Sequence, residues 1–375
     1  MDFLATLPAT IFSYGAYAVI LLVALTVIVF VHEYGHFKVA RLCGMKVEAF
    51  SIGFGREIWG KYDRYGTRWK IGWLPIGGYV KFAGDANAAS MPDPESPPKP
   101  DEFHGKPIWQ RALVVAAGPV ANFVLAFLLF AVYFMGDKVL GPQLGEIMPK
   151  SAAQEAGFQP NDTVLRIDGE EVLSFVDIIA IVSQSAGKSL HFDIDRSGSP
   201  LTLTVIPQSS VEDRGFFGKI TIGRIGARPS DNPSNLHNVP LPRALNMAGG
   251  EIERIVVGTL QYVGRLIVGR DSVSQLGGVG TMAKLTGDAA QVGFLVLVYM
   301  IAVLSVSIGL INLFPIPMLD GGHLVFYALE AIRRKPLGPQ AQEWSFRIGF
   351  AVIIFIMLIG NINDLLRATM RNLAY

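Results

Sequence analysis

His32–Glu33–Tyr34–Gly35–His36 is an H-E-x-x-H sequence. On a helix, two histidines four apart project from one face and can share a zinc ion. Glu33 then sits beside the metal-bound water as general base. Neutral imidazole suits zinc, and bound zinc lowers the pKa of its water to about 7. The bland alternative is a helix end with solvated polar residues, because so short a motif also arises by accident. The setting favours chemistry. The motif follows an apolar helix, where ionisable residues are costly and mark function. A hydrolytic zinc also needs a third protein ligand and one open position. The other apolar stretches hold few candidates. Asp320 is one, in Asn312–Leu313–Phe314–Pro315–Ile316–Pro317–Met318–Leu319–Asp320–Gly321–Gly322–His323. Two prolines break a helix there, and irregular backbone at membrane depth is tolerated only where it is buried or lines a wet cavity. Asp320 also fits an ordinary Asp–Gly turn. His323 is the rival ligand, with a structural or supporting role as the preferred reading.

The elements that must position these residues are apolar spans. Of the 375 residues, 51% are hydrophobic and 17% charged, and the mean hydropathy is +0.39. A soluble domain carries about 25% charged residues. No Asp, Glu, Lys or Arg occurs in 3–31, 112–136, 289–319 or 348–363. A bilayer needs about 20 apolar residues per helix, so the first three qualify and the fourth does once extended back to Trp344. The first run lacks a basic start and is too long for a signal peptide. Lys and Arg crowd residues 38–111 and recur at Arg333, Arg334 and Lys335. Positive-inside logic therefore predicts 38–111 and 327–345 in the cytoplasm, with both termini and 137–288 outside. It also puts Asp320, His32 and His36 at the cytoplasmic ends of their spans, where they can meet at one depth. The net charge of +1 argues against nucleic-acid binding. One cysteine, Cys43, excludes an intrachain disulfide and a thiolate zinc site.

Between the spans, residues 13–37 read as one helix, and 47–55, 69–73 and 79–82 as strands punctuated by Gly53, Gly55, Pro75, Gly77 and Gly78. The Pro-rich stretch 84–107 reads as a loop. In the outward segment, short helices are expected at 152–156 and 175–185. Strands are expected at 164–167, 191–195 and 201–205, with turns at Asp168–Gly169 and Ser197–Gly198. A further helix is expected over 243–268.

The H-E-x-x-H at the end of the first span, together with Asn312-x-x-Pro315-x-Pro317-x-Leu319-Asp320-Gly321, resembles the site-2 protease family of intramembrane metalloproteases. It is most similar to the bacterial regulator of sigma-E protease group. Phe50–Ser51–Ile52–Gly53–Phe54–Gly55, Gly77–Gly78–Tyr79–Val80–Lys81–Phe82 and Ala117–Gly118–Pro119-x-x-Asn122 match as well. The resemblance implies a bacterial inner-membrane protein with four transmembrane helices, a membrane-associated β-hairpin and one α+β PDZ-like extracytoplasmic domain. The expected organisation is 1–136 (two spans with the motif and hairpin), 137–210 (PDZ-like), 211–288 (linker and amphipathic helix) and 289–375 (two spans with the third ligand). It implies zinc held by His32, His36 and Asp320, with Glu33 as base. Asn312, Gly77, Gly78 and Tyr79 would position the substrate. Expected partners are the lipid bilayer and single-span membrane proteins, such as anti-sigma factors or remnant signal peptides, cut in regulated intramembrane proteolysis. A substrate helix must unwind before its amide reaches zinc, and the hairpin could do this by strand addition. Best-known members of the group carry two PDZ domains, whereas this chain has room for one. The competing reading is a PDZ-containing membrane scaffold with a relict metal site, which metal analysis would distinguish.

Overall fold

The computed structural model describes residues 3–84, 99–136, 138–213, 219–270, 272–273, 276–335 and 337–373. The chain forms two compact units: Met1–Phe130 with Ala248–Val257 and Ser272–Tyr375, and Ala131–Met247 with Gly258–Asp271.

The first unit opens with helix α1 (Phe3–Leu42), and its stretch Gly15–Leu42 is long and apolar enough to cross a membrane. Gly44, at φ 66°, ends it. The Gly44 N–H donates to the Arg41 carbonyl and the Met45 N–H to that of Ala40, which satisfies carbonyls that the helix leaves open. The chain then enters strand β1 (Val47–Tyr62) and returns as β2 (Arg68–Phe82). Three short strands were expected here. Two long ones form instead, because Gly53, Gly55 and Gly77, at φ 81°, 84° and 95°, bend the strands without ending them. The hairpin therefore folds on itself. Residues 49–52 lie between 78–81 on one side and 68–71 on the other. Phe37, Phe50, Phe82, Phe103, Val114 and Tyr327 form one buried cluster that fixes this sheet to the helices. The expected loop over 84–107 falls mostly on 85–98, outside the described residues.

Helix α2 (Ile108–Gly136) is the second candidate span, with Pro119 inside it. The single uncharged run 289–319 resolves into three parts. Helix α6 (Val279–Val292) ends at Gly293, the third candidate span α7 (Phe294–Asn312) follows, and an irregular segment leads to α8 (Asp320–Arg333). Gly287 lets α6 approach α1, since a Cβ there would lie 2.1 Å from the Tyr17 ring. Leu21 and Ile28 of α1 pack with Leu304 of α7. Helix α9 (Pro339–Leu373) contains the fourth candidate span, Gln340–Arg367. With four such helices among the described residues, the protein is a multi-span membrane protein.

The second unit opens with β3 (Lys138–Leu140) and β4 (Leu144–Ile147) and is built around a four-stranded antiparallel sheet in which residues 163–167 lie between 170–171 and 190–196, and 199–205 form the far edge. Its strands are β5 (Thr163–Ile167), β6 (Glu170–Glu171), β7 (Leu190–Arg196) and β8 (Ser199–Val205). Asp168–Gly169 and Ser197–Gly198 make the tight turns, each with two positive φ values. Helices α3 (Ala152–Glu155) and α4 (Phe175–Gln184) match the expected positions. A capping box between Ser174 and Asp177 starts α4. Phe192, Ile194, Val164, Ile167 and Ile178 lie at the centre of its core. Ile225 joins that core, β9 (Gln208–Asp213) pairs with β10 (Lys219–Arg224), and β10, β11 (Ala227–Pro229) and β12 (Leu236–Asn238) occupy part of the stretch expected as linker. Asp162, whose side chain is 1% exposed, is held by Arg196 at 2.7 Å. Helix α5 (Leu241–Ile267) carries the helical pattern read over 243–268.

Candidate metal centre and catalytic cavity

His32 and His36 sit one turn apart on α1, and both are buried. Their Nε2 atoms are 3.2 Å apart. Asp320 opens α8 and brings Oδ2 to 3.1 Å from His32 Nε2 and 3.5 Å from His36 Nε2. Oδ2 is buried and receives no hydrogen bond. The His36 Nδ1 proton goes to the Val114 carbonyl at 2.9 Å, which leaves Nε2 with a bare lone pair. Electron-rich atoms gathered so closely repel one another unless a cation lies between them. Zinc bonds of about 2.0–2.1 Å in a tetrahedron set ligand atoms roughly 3.3 Å apart, and the three observed separations bracket that value. The residues therefore fit zinc. Among the described residues, no other group of three or more such side chains converges in this way.

Glycines make the geometry possible. A Cβ on Gly118 of α2 would lie 2.3 Å from His36 Nε2 and 2.9 Å from His32 Cε1. A Cβ on Gly35 would lie 2.4 Å from the Ala117 carbonyl oxygen. Helices α1 and α2 thus touch backbone to backbone behind the two rings. Pro119 has no N–H to return to the carbonyl four residues back, that of Val115. One residue earlier, the Val114 carbonyl takes the His36 Nδ1 proton. The segment before Asp320 is held as tightly. A Cβ on Gly321 would lie 2.3 Å from the Leu313 and Phe314 carbonyl oxygens, and one on Gly322 would lie 2.4 Å from that of Ile316. Met318 takes φ 82°, a costly value for a side-chain-bearing residue. The Asp320–Gly321 pair is therefore not a solvent turn. It is the first turn of a helix wedged under the end of α7. Arg111 of α2 fixes the other end of α8 through Glu330 at 2.7 Å.

A cavity of about 590 Å³ opens beside the three ligand atoms. Glu33, Asn312, Gly78, Tyr79, Val80, His323 and Phe346 are among its walls. Such a volume suits a bound substrate segment. Glu33 lies outside the ligand trio and accepts the Val80 backbone N–H. Gly78 admits it, since a Cβ there would meet Glu33 Cγ at 3.2 Å. Tyr79 lines the same wall, whereas Gly77 does not and packs instead against Phe54. His323 also lines the cavity but stays outside the trio, with its ring 5.7 Å from that of Phe346. In the sequence, Gly118 and Asn122 stand out only as parts of a motif near the second span. Gly118 is a backing surface for both imidazoles. The Asn122 amide, fully buried, lies 3.2 Å from His32 Nδ1. Contacts between helices leave no trace in periodicity, so the motif spacing was the one available signal.

A helix-borne pair of histidines, an incoming carboxylate and an adjacent glutamate are the residue types that a hydrolytic metal centre uses. Comparison with known proteins agrees. Residues 20–356 match the model of peptidase family M50. The chain is 42% identical over 369 residues to a protein named as a zinc metalloprotease in Agrobacterium fabrum, covering 96% of this chain and 98% of that one. It is 38% identical over 377 residues to metalloprotease MmpA of Caulobacter vibrioides, covering 92% and 94%. It is 30% identical over 454 residues to the regulator of sigma-E protease RseP of Escherichia coli, covering 92% and 97%. The chain belongs to peptidase family M50, the site-2 protease family, and is a zinc metalloprotease.

Proposed function

We propose that this metalloprotease cleaves single-span membrane proteins in or near the bilayer, in regulated intramembrane proteolysis, with His32, His36 and Asp320 as its zinc ligands and Glu33 as its general base. The observation that carries the reading is the trio of donor atoms separated by 3.1, 3.2 and 3.5 Å with the Glu33 carboxyl in the same cavity. Zinc, when bound, acts as a Lewis acid and makes water a usable nucleophile near neutral pH. Glu33 takes one proton from the attacking water as its oxygen bonds to the scissile carbonyl carbon. The same carboxyl then delivers that proton to the amide nitrogen as the C–N bond breaks. In this reading Asn312, at the end of α7 on the cavity wall, donates its amide hydrogens to the substrate backbone.

The substrate must present an extended backbone, because a helix hides its amides. Among the described residues, 78–82 pair with β1 along one edge only, and Gly78 and Tyr79 line the cavity. An unwound substrate segment can add as a strand to the edge that faces the cavity, with Gly77, Gly78 and Tyr79 setting its register. The distribution of Lys and Arg supports a cytoplasmic-side active site in the bacterial inner membrane, with both termini outside. We read 137–210, together with the later residues around Ile225 that complete its core, as a single PDZ-like extracytoplasmic domain, and the substrates as anti-sigma factors already trimmed outside or remnant signal peptides. The alignment to RseP, 454 residues against a chain of 375, supports extra segments in that relative.

One variant series tests this reading in detergent or vesicles, with a single-span reporter and measured zinc content. Asp320→Ala is expected to lose zinc and cleavage together. His323→Ala is expected to retain zinc and most activity. Gly78→Pro, which removes an N–H from the strand beside Glu33, is expected to keep zinc but cut a helical substrate poorly. Zinc retained in Asp320→Ala and lost in His323→Ala would reverse the ligand assignment.

A further inference from the structure

The zinc-ligand reading leaves one ring nitrogen unexplained. His32 turns Nε2 toward His36 and Asp320, so its Nδ1 faces the other way, into α2. There it meets the side-chain amide of Asn122 at 3.2 Å. Asn122 is fully buried, and its Oδ1 has no hydrogen-bond partner. An imidazole that offers Nε2 to a metal carries its proton on Nδ1 and must donate it. An amide nitrogen cannot accept that proton, but an amide oxygen can. The two ends of an amide have the same shape, so the network decides which one faces the ring. A half-turn of the amide sets Oδ1 against the Nδ1–H and gives the orphaned oxygen its donor.

We propose that Asn122 is a positioning residue of the zinc centre, whose side-chain oxygen accepts the Nδ1–H of His32 and so fixes that ring's tautomer and aim. The proposal rests on the assignment of His32 and His36 as ligands. It gives the two histidines matching supports from one helix. The Val114 carbonyl takes the His36 proton, and Asn122, two turns further along α2, takes that of His32. Asn122 is itself held from a third helix. Ser305 Oγ of α7 donates to its backbone carbonyl at 2.8 Å. Gly309, where a Cβ would come within 3.1 Å of Asn122 Cβ, lets α7 pack directly against it. Loss of such an outer support lowers metal affinity by about 10–100-fold.

The test uses the full-length protein and a zinc-chelator competition, with melting of the zinc-free protein measured alongside. Asn122→Leu keeps the volume and loses the acceptor. It is expected to weaken zinc binding by about 10–100-fold while the zinc-free protein melts as the parent does. Asn122→Asp keeps an acceptor at the same place and is expected to restore most of the affinity. Wild-type affinity in Asn122→Leu, or equal loss in both variants, would overturn the proposal. A second measurement does not depend on either variant folding. Nitrogen-15 resonances of labelled histidine in the zinc-loaded parent should show His32 protonated at Nδ1. Protonation at Nε2 would overturn the proposal as well. Absence of zinc from the parent protein would instead overturn the ligand assignment beneath it.

Discussion

Glu33→Gln is expected to lower cleavage of a single-span substrate by at least about 100-fold, within the 10²–10⁴ range for loss of a general base, while zinc remains bound. The separation of the two effects is the point of the experiment. Glu33 is not one of the three convergent donors, so its charge is not needed to hold the metal. Glutamine keeps the length of the side chain and can still meet the Val80 backbone and fit beneath Gly78. It cannot take a proton from water. Cleavage rates and zinc stoichiometry on the same preparation check this. Full activity would remove Glu33 from the mechanism, and loss of zinc would mean that it acts as a ligand.

The second large effect is expected from a single methyl group. Gly118→Ala should strip the protein of zinc, or leave a weakly loaded enzyme at least about 100-fold slower, since a misplacement of about 1 Å costs that much. The new Cβ would lie 2.3 Å from His36 Nε2 and 2.9 Å from His32 Cε1. The His36 ring cannot swing aside without breaking its hydrogen bond to Val114. Gly249→Ala in α5 is the control, because nothing lies within 4 Å of its Cβ. There the ordinary helix preference for alanine should prevail and stabilise by up to about 1 kcal/mol. Opposite signs at two helical glycines separate a site effect from a propensity effect. Zinc content and melting temperature of both variants decide it.

Much of the site was legible because its parts follow helical spacing. Two histidines four apart share a face in any α-helix, and the uncharged run before them marks a span whatever the fold. Asp320 was legible only through topology. Nothing in its local sequence separates a ligand from an Asp–Gly turn, but the depth argument brought it to His32 and His36. The contacts between helices were not legible. Gly118 and Asn122 act on residues some 80–90 positions earlier, and no periodic pattern records that. The hairpin was legible, but the lengths of its strands were not. Gly53, Gly55 and Gly77 look like punctuation of short strands, yet their positive φ values bend long continuous strands and fold the sheet back on itself. Likewise the run 289–319 has the length of a single span, but Gly293 and the two prolines divide it. That division frees Asp320 to start a new helix beside the histidines.

The central claim is a zinc ion held by two imidazoles and one carboxylate. X-ray absorption at the zinc edge of the purified full-length protein tests it most directly. The account predicts zinc bound to the chain, with two imidazole shells and oxygen at about 2.0–2.1 Å, no sulfur, and loss of the signal in Asp320→Ala. A sulfur shell from Cys43, a third imidazole from His323, or protease activity without bound metal would contradict it.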